Sequence, residues 1–364
     1  MKLSLVLEEL EKLAPTAYAE GFDNVGLLVG DPAAEISKIL VTLDTLETVV
    51  DEAIEKGANL IISFHPIVFS GLKKITGKTY VERVVQKAIK HDINIYATHT
   101  ALDNAWLGVN HQIAQQLKLK HTEILLPQKS TLQQLVTYVP VEFAAALRQS
   151  LFEAGAGKIG NYDQCSFNVE GKGTFRGGVH SNPKIGSINE FRTENEVRIS
   201  VLVPKHLKGE ILDALMKNEF YEEIAYELID LNNENQHIGM GMIGELEEAM
   251  EEVEFLNYLK ENMQTEMVRH SQLLGKKVKK IAVLGGSGSF AIQNALQKGA
   301  DVFVTADLKY HDFFQAEDRI LLADIGHYES EQFTKNLLTA YLSEKFPNFA
   351  VLKSEIDTNP VHYT

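Results

Sequence analysis

The sequence predicts an α/β fold in two parts, residues 1–127 and 245–364, interrupted at 130–232 by a ferredoxin-like α+β insert. Three observations carry this reading. At 364 residues the chain exceeds what one hydrophobic core usually serves. At both ends short apolar runs alternate with helix-period stretches, the pattern of a mostly parallel sheet. Between them the order becomes β-α-β-β-α-β, the split βαβ arrangement.

The elements follow in order. Met1-Lys-Leu-Ser-Leu-Val-Leu-Glu-Glu-Leu10 carries charges inside an apolar pattern, so it reads as an amphipathic helix and not a signal peptide. Val25–Gly30 reads as hairpin-like, and Ile39–Leu43, 59–64 and 93–98 as strands. Helices are expected at 46–56, 79–91 and 108–117. The insert opens with Leu135–Val139 and a helix at 141–153. Further strands, a helix at 206–217 and a last strand near 222–229 complete it. The outer pattern resumes after about 245 with a helix, strand Lys280–Leu284, helix 289–299, strand Asp301–Thr305, a short helix, strand 320–325 and a final helix at 328–345.

Composition excludes several classes. Thirty-five basic against 50 acidic residues leave a net charge of −15, which repels nucleic-acid backbones and anionic membrane surfaces. The densest basic run, Lys276-Lys277-Val-Lys279-Lys280, leads into a strand and reads as its solvated entry. A lone cysteine, Cys165, makes neither an internal disulfide nor a cysteine zinc site, which points to a reducing, cytoplasmic setting. No apolar run reaches the ~18 residues a bilayer span needs.

The candidate chemistry gathers at strand exits. His327 and Glu331 stand four residues apart at the start of a helix, beyond the buried run Arg319–Ile325 and the turn at Gly326. That spacing puts imidazole and carboxylate on one face. The run Asn59–Phe64 ends in His65, which cannot enter a helix before Pro66. Ile93–Thr98 then releases His99 and Asp103 into a loop. Any one such histidine is ordinarily a satisfied core residue, but convergent exits with mixed imidazole and carboxylate favour a multidentate metal site. Nitrogen and oxygen donors without thiolate suit zinc, iron(II), manganese or magnesium. His99 and His311 are the candidate general acid or base, or else groups that orient a ligand.

Glycine-rich stretches admit two readings each. Leu284-Gly-Gly-Ser-Gly-Ser289 follows a strand and opens a helix, as an anion-binding loop does, although tight turns also use such glycines. Gly171–Gly178 in the insert is more cheaply explained by hairpin turns than by an anion grip. Asp23-Asn24 either lines the same cleft or makes an ordinary turn.

Five ordered motifs carry a resemblance: Gly21-Phe-Asp-Asn-Val-Gly-Leu-Leu-Val-Gly-Asp31, Phe64-His65-Pro66, Thr98-His99-Thr-Ala-Leu-Asp103, Thr305-Ala-Asp-Leu-Lys-Tyr-His311 and Gly326-His-Tyr-Glu-Ser-Glu331. Together they resemble the GTP cyclohydrolase I type 2 homologs, the NGG1-interacting-factor-like family. The middle of the chain resembles the PII-like or CutA-like insert of its longer bacterial members. The resemblance implies a dinuclear divalent-metal centre between the halves of the outer domain, in a ring-shaped homo-oligomer, a hexamer. It implies His65 and Asp103 as ligands of the first metal, His327 as a ligand of the second, and Glu331 as the carboxylate bridging both. The family motif has two adjacent histidines before the proline, whereas this chain has Phe64 at the first position. Phenylalanine cannot coordinate a cation, so the second site is expected to be weaker, more hydrated, or completed by another group such as His99. One or two metal ions per chain are therefore expected.

Two functions follow. The first is a metal-dependent hydrolase of a small heterocyclic or phosphorylated metabolite, with GTP ring opening as what the family label suggests. The second is non-enzymatic: metal buffering or delivery, or a regulatory scaffold acting through the insert.

Overall fold

The computed structural model describes residues 1–364, which divide into two compact units, Met1–Pro127 with His237–Thr364, and Gln128–Gln236. Several sheets with interleaved helices make the protein a mixed α/β fold.

In the first unit, strands β1 (Gly26–Val29), β2 (Ile39–Thr42), β3 (Leu60–Ser63) and β4 (Asn94–Ala97) belong to a five-stranded sheet. Its order is β1-β4-β3-β2-β15, where β15 is Val351–Lys353 from the far end of the chain. The pairs β15-β2, β2-β3 and β3-β4 are parallel, and β1 runs antiparallel to β4. Strands β2, β3 and β4 are buried throughout, which explains why they read as unbroken apolar runs. Val25–Gly30 is therefore not a hairpin, because its strand pairs with β4 instead of folding back on itself.

A six-stranded sheet of order β11-β14-β13-β12-β10-β5 forms the other half of this unit. Its members are β5 (Lys120–Lys129), β10 (Glu234–Glu251), β11 (Arg269–His270), β12 (Lys277–Ser287), β13 (Val302–Ala306) and β14 (Leu321–Asp324). The central β12, β13 and β14 are parallel. Each end of the chain thus builds mainly its own sheet and lends one strand to the other: β15 joins the first and β5 the second. The loan ties the two halves into one unit.

Helices cover these sheets by amphipathic faces. In α1 (Leu3–Leu13), Leu3, Val6, Leu10 and Leu13 are buried, spaced as one helical stripe requires. The helix Tyr80–Lys90 is capped by Thr79, whose side chain accepts the Glu82 N–H at 3.2 Å. The expected final helix is split into His327–Glu331 and Thr334–Lys345. No helix is long and apolar enough to cross a membrane.

The second unit contains β6 (Leu132–Pro140), helix Ala144–Glu153, β7 (Ser166–Arg176), β8 (Phe191–Pro204), helix Lys208–Met216 and β9 (Tyr226–Leu231). Its sheet has the order β7-β8-β6-β9, with every neighbouring pair antiparallel. Leu135, Val139, Val197, Ile199, Val201 and Val203 pack against Leu147, Leu151, Ile211 and Leu215 of the two helices. Gly171 and Gly173 lie inside β7, paired along its length with β8, so hairpin turns do not account for them. A Cβ on Gly173 would overlap Glu196 Oε2 at 1.8 Å, so close cross-strand approach explains that glycine.

Candidate metal centre

The carboxyl ends of five parallel strands deliver the polar side chains of the outer unit, two of them by way of short helices. Asp44 follows β2, His65 follows β3, His99 follows β4, Asp307 follows β13 and His327 follows β14. Backbone bonds fix these exits: the His65 N–H donates to Leu43 O at 2.9 Å and the His99 N–H to Phe64 O at 2.9 Å. The Ile325 N–H donates to Thr305 O at 3.0 Å. Ligands gather at such strand ends in α/β sheets.

His65, His327 and Glu331 form a cluster able to hold a metal ion. Glu331 Oε2 lies 3.1 Å from His65 Nε2 and 3.2 Å from His327 Nε2. The two Nε2 atoms are 3.4 Å apart. Tetrahedral coordination with metal–nitrogen bonds of roughly 2.0–2.1 Å separates ligand atoms by about 3.3–3.4 Å. The observed triangle has that size. Glu331 Oε2 is buried and makes no hydrogen bond of acceptable geometry, although two imidazoles adjoin it. A cation at the centre of the triangle satisfies all three atoms, so the residues fit a divalent metal.

Each imidazole of the region is held from behind by an aspartate. His65 Nδ1 lies 2.8 Å from Asp44 Oδ1, His99 Nδ1 lies 2.8 Å from Asp23 Oδ1, and His327 Nδ1 lies 2.7 Å from Asp307 Oδ2. A carboxylate on Nδ1 fixes the tautomer and leaves Nε2 as the donor atom, the usual arrangement behind metal-bound histidine. Asp44 is oriented in turn by the Thr358 hydroxyl, which donates to its Oδ2 at 2.7 Å.

Electrostatics follow from this geometry. Burial lowers the His65 pKa, but Asp44 and Glu331 outweigh it and hold the imidazole up to about 10. Burial likewise opposes, and Asp307 and Glu331 likewise raise, His327 to about 11. Glu331 is raised by burial and pulled down further by the two imidazoles, to about 2. Asp103 goes the other way: burial, then repulsion from Glu331, pushes its carboxyl well above the usual carboxylate range. Its Oδ1 is buried without a hydrogen-bond partner. A second buried, unsatisfied acceptor beside the cluster suits a cation-binding position.

His99 and Asp103 are not in a loop. They begin and nearly end a short helix, His99–Asn104, and so repeat the four-residue spacing of His327 and Glu331. His99 has φ of +27°, a conformation non-glycine residues rarely keep without functional or packing reason. His99, Asp103, His327 and Glu331 line one cavity of about 240 Å³. His311 does not line it: it is exposed and meets the rings of Tyr310 and Phe314. Phe64 is fully buried in the core, with its ring 4.9 Å from that of His65 and 5.6 Å from that of His99. It serves the site as packing behind two imidazoles.

Two amides of the glycine stretch are committed inside the fold. The Gly285 N–H donates to Asn110 Oδ1 at 3.0 Å and the Gly286 N–H to Ser330 Oγ at 2.9 Å, so these two amides are engaged within the fold. What the loop supplies is space for Glu331.

Asp44, Asp307 and Thr358 were not singled out by sequence reasoning. The signal for the two aspartates was present, since each stands just past an apolar strand, as the histidines do. Nothing local marked Thr358, whose partner is 314 residues away.

Comparison with known proteins agrees with this architecture. Residues 1–360 match the model of the Duf34/NIF3 (NGG1p interacting factor 3) family. The chain is 38% identical over 363 residues to the "GTP cyclohydrolase 1 type 2 homolog" of Bacillus subtilis, covering 98% of this chain and 96% of that one. It is 39% identical over 360 residues to the protein of the same name from Halalkalibacterium halodurans, covering 98% and 97%. Among solved structures, a Bacillus cereus protein related to NIF3 superposes with a TM-score of 0.89 at 36% identity, over 100% of this chain and 99% of that one. Staphylococcus aureus protein SA1388 superposes at 0.79 and 33% identity, again over 100% and 99%.

Proposed function

The chain belongs to the Duf34/NIF3 family, and from that premise we propose that it is a metal-dependent hydrolase acting on a nucleotide or related heterocycle. The observation that carries the reading is the triangle of His65 Nε2, His327 Nε2 and Glu331 Oε2, sized for coordination and with the buried Glu331 Oε2 left without a hydrogen-bond partner. A divalent ion there would supply Lewis-acid activation of water. In this proposal His65 and Asp103 hold a first cation, His327 a second and Glu331 both, with His99 completing the second position in place of the ligand that Phe64 does not provide. His99, anchored at Nδ1 by Asp23, is alternatively the group that holds or moves a proton at Nε2. His311 has no such support, being exposed and outside the cavity.

The finer organisation is part of the same reading. We take residues 1–127 and 245–364 as the halves of the metal-binding domain and 130–232 as a ferredoxin-like, PII- or CutA-like insert. The strand order β7-β8-β6-β9 supports the insert assignment. A cytoplasmic hexamer is the proposed working form.

The test pairs metal content with turnover. Protein purified without chelator should carry divalent metal by mass spectrometry and should convert GTP or a related nucleotide in a chromatographic assay. Glu331→Gln should lose both, and undiminished turnover in that variant would sink the mechanism.

One observation favours a second reading, metal handling without catalysis. Phe64 occupies a core position and offers no donor atom, so a half-furnished second site suits exchange. Metal that is retained and readily exchanged, with no turnover of any nucleotide tried, would favour it.

A further inference from the structure

Two exposed phenylalanines line the metal cavity and a third stands against one of them. Phe22 is 66% exposed, Phe69 50% and Phe290 56%. Scattered exposed apolar residues are ordinary, but a cluster beside a cavity that holds a few convergent polar groups marks a binding surface. Phe22 and Phe290 line the same cavity as His99, Asp103, His327 and Glu331. The Phe22 and Phe69 rings are 6.4 Å apart, and Phe69 stands edge-on to His99 at 6.2 Å.

These rings are held in the open by their neighbours. Asp23, beside Phe22, accepts the Thr100 N–H at 3.0 Å and its hydroxyl at 2.5 Å, and adjoins His99 Nδ1 at 2.8 Å. Asn24 donates its side-chain amide to Val68 O at 2.5 Å, joining the Phe22 loop to the segment that carries Phe69. On the other side, Phe290 precedes Ala291 and Ile292, both fully buried, so its backbone is anchored while its ring faces out.

We propose that Phe22, Phe69 and Phe290 form a stacking subsite for a flat heteroaromatic ring system, presented with one polar edge towards the metal cluster. The inference deepens the hydrolase reading by naming the part of the substrate that is gripped and the side chains that grip it. A cavity of about 240 Å³ falls below the roughly 300–1,000 Å³ of clefts for whole drug-sized ligands. That size suits a single ring system better than a whole nucleotide. Aromatic side chains are sequence-tolerant platforms for such rings because every base has a π-face. The Gly285 and Gly286 N–H groups are not free for a competing phosphate, since they are already bonded to Asn110 and Ser330.

The test is equilibrium binding, so that it does not depend on turnover. Guanosine and neopterin are titrated by calorimetry into full-length, metal-loaded protein, with ribose 5-phosphate as the probe lacking a ring. At least one aromatic probe should bind and ribose 5-phosphate should not compete. Phe22→Ala and Phe290→Ala should each weaken binding about 5- to 100-fold, the size of one base–aromatic stack. Phe22→Trp should restore it, and metal content should not change in any variant. No binding of either ring, equal binding by the alanine variants, or an altered oligomeric state as their only effect overturns the subsite. Ring binding that depends on Phe22 in a protein that never hydrolyses a nucleotide would retire the hydrolase reading and keep this one.

Discussion

A Cβ added to Gly286 would stand 2.5 Å from Oε1 of Glu331, closer than any real contact allows. Gly286 also has φ of +68°, where a side chain is strained whatever the space. Glycine at this position is therefore a condition for the carboxylate to reach His65 and His327. Gly286→Ala, at the irregular end of β12, should displace Glu331 and weaken metal binding at least 10-fold. Competition against a chromophoric chelator measures this, and an unchanged dissociation constant would show that Glu331 tolerates the shift.

The aspartate behind His65 should matter almost as much as the ligands themselves. Asp44→Asn keeps the shape but lets the amide present N–H to Nδ1, which favours the wrong tautomer. Loss of such an outer partner typically costs 10- to 100-fold in metal affinity. Asp44→Asn and Asp307→Asn should each fall in that range, with circular dichroism unchanged. Thr358→Val should give a smaller loss and Thr358→Ser should recover it, since only the hydroxyl bonded to Asp44 is at stake.

Phe64 offers a direct test of metal number. Phe64→His restores the adjacent pair of histidines to which the resemblance points, within ring contact of His65 and His99. The variant should bind close to one further equivalent of metal than the parent protein. The position is fully buried, so without metal the new imidazole should destabilise by about 1–3 kcal/mol, as an unsatisfied buried polar group does. Parent and variant with equal stoichiometry would mean that His99 or another group already completes the second position.

Much of this site was legible because it obeys a local rule. His65, His99 and His327 each follow an apolar strand, and that adjacency is written in consecutive residues. Glu331 was legible through its four-residue spacing from His327, whereas Asp103 was placed in a loop, because the six residues of the helix His99–Asn104 are too few to show periodicity. The exchange of β15 and β5 between sheets was not legible, because pairing partners such as Val351 and Ile39 lie hundreds of residues apart and nothing local records the match. The same limit hid Thr358. The glycine loop misled for a different reason: phosphate grips and close packing against a carboxylate select the same residue, and only the neighbour decides between them.

The carboxyl-terminal segment that carries Thr358 depends on one buried carboxylate. Glu52, on the helix Glu47–Lys56, accepts the Ser354 hydroxyl at 2.5 Å and the Glu355 N–H at 2.9 Å, and pairs with Lys56 Nζ at 2.8 Å. Burial raises its pKa, but these bonds prevail and the net displacement is downward. A carboxylate whose folded pKa is depressed contributes stability that is fully present above its unfolded value, near 4.5, and is lost as pH falls through the lower folded value. Glu52→Gln should therefore destabilise the protein by about 1–3 kcal/mol at neutral pH, the range for hydrogen bonds to a charged group. The difference from the parent should shrink as pH drops below about 4.5, because protonation then makes the two alike. Thermal unfolding at pH 7 and at pH 4 distinguishes this from a packing defect, which would destabilise equally at both. Because the segment also delivers Thr358 to Asp44, Glu52→Gln should loosen metal binding in the same direction as Thr358→Val. Full affinity despite the stability loss would show that β15 alone holds the tail in place.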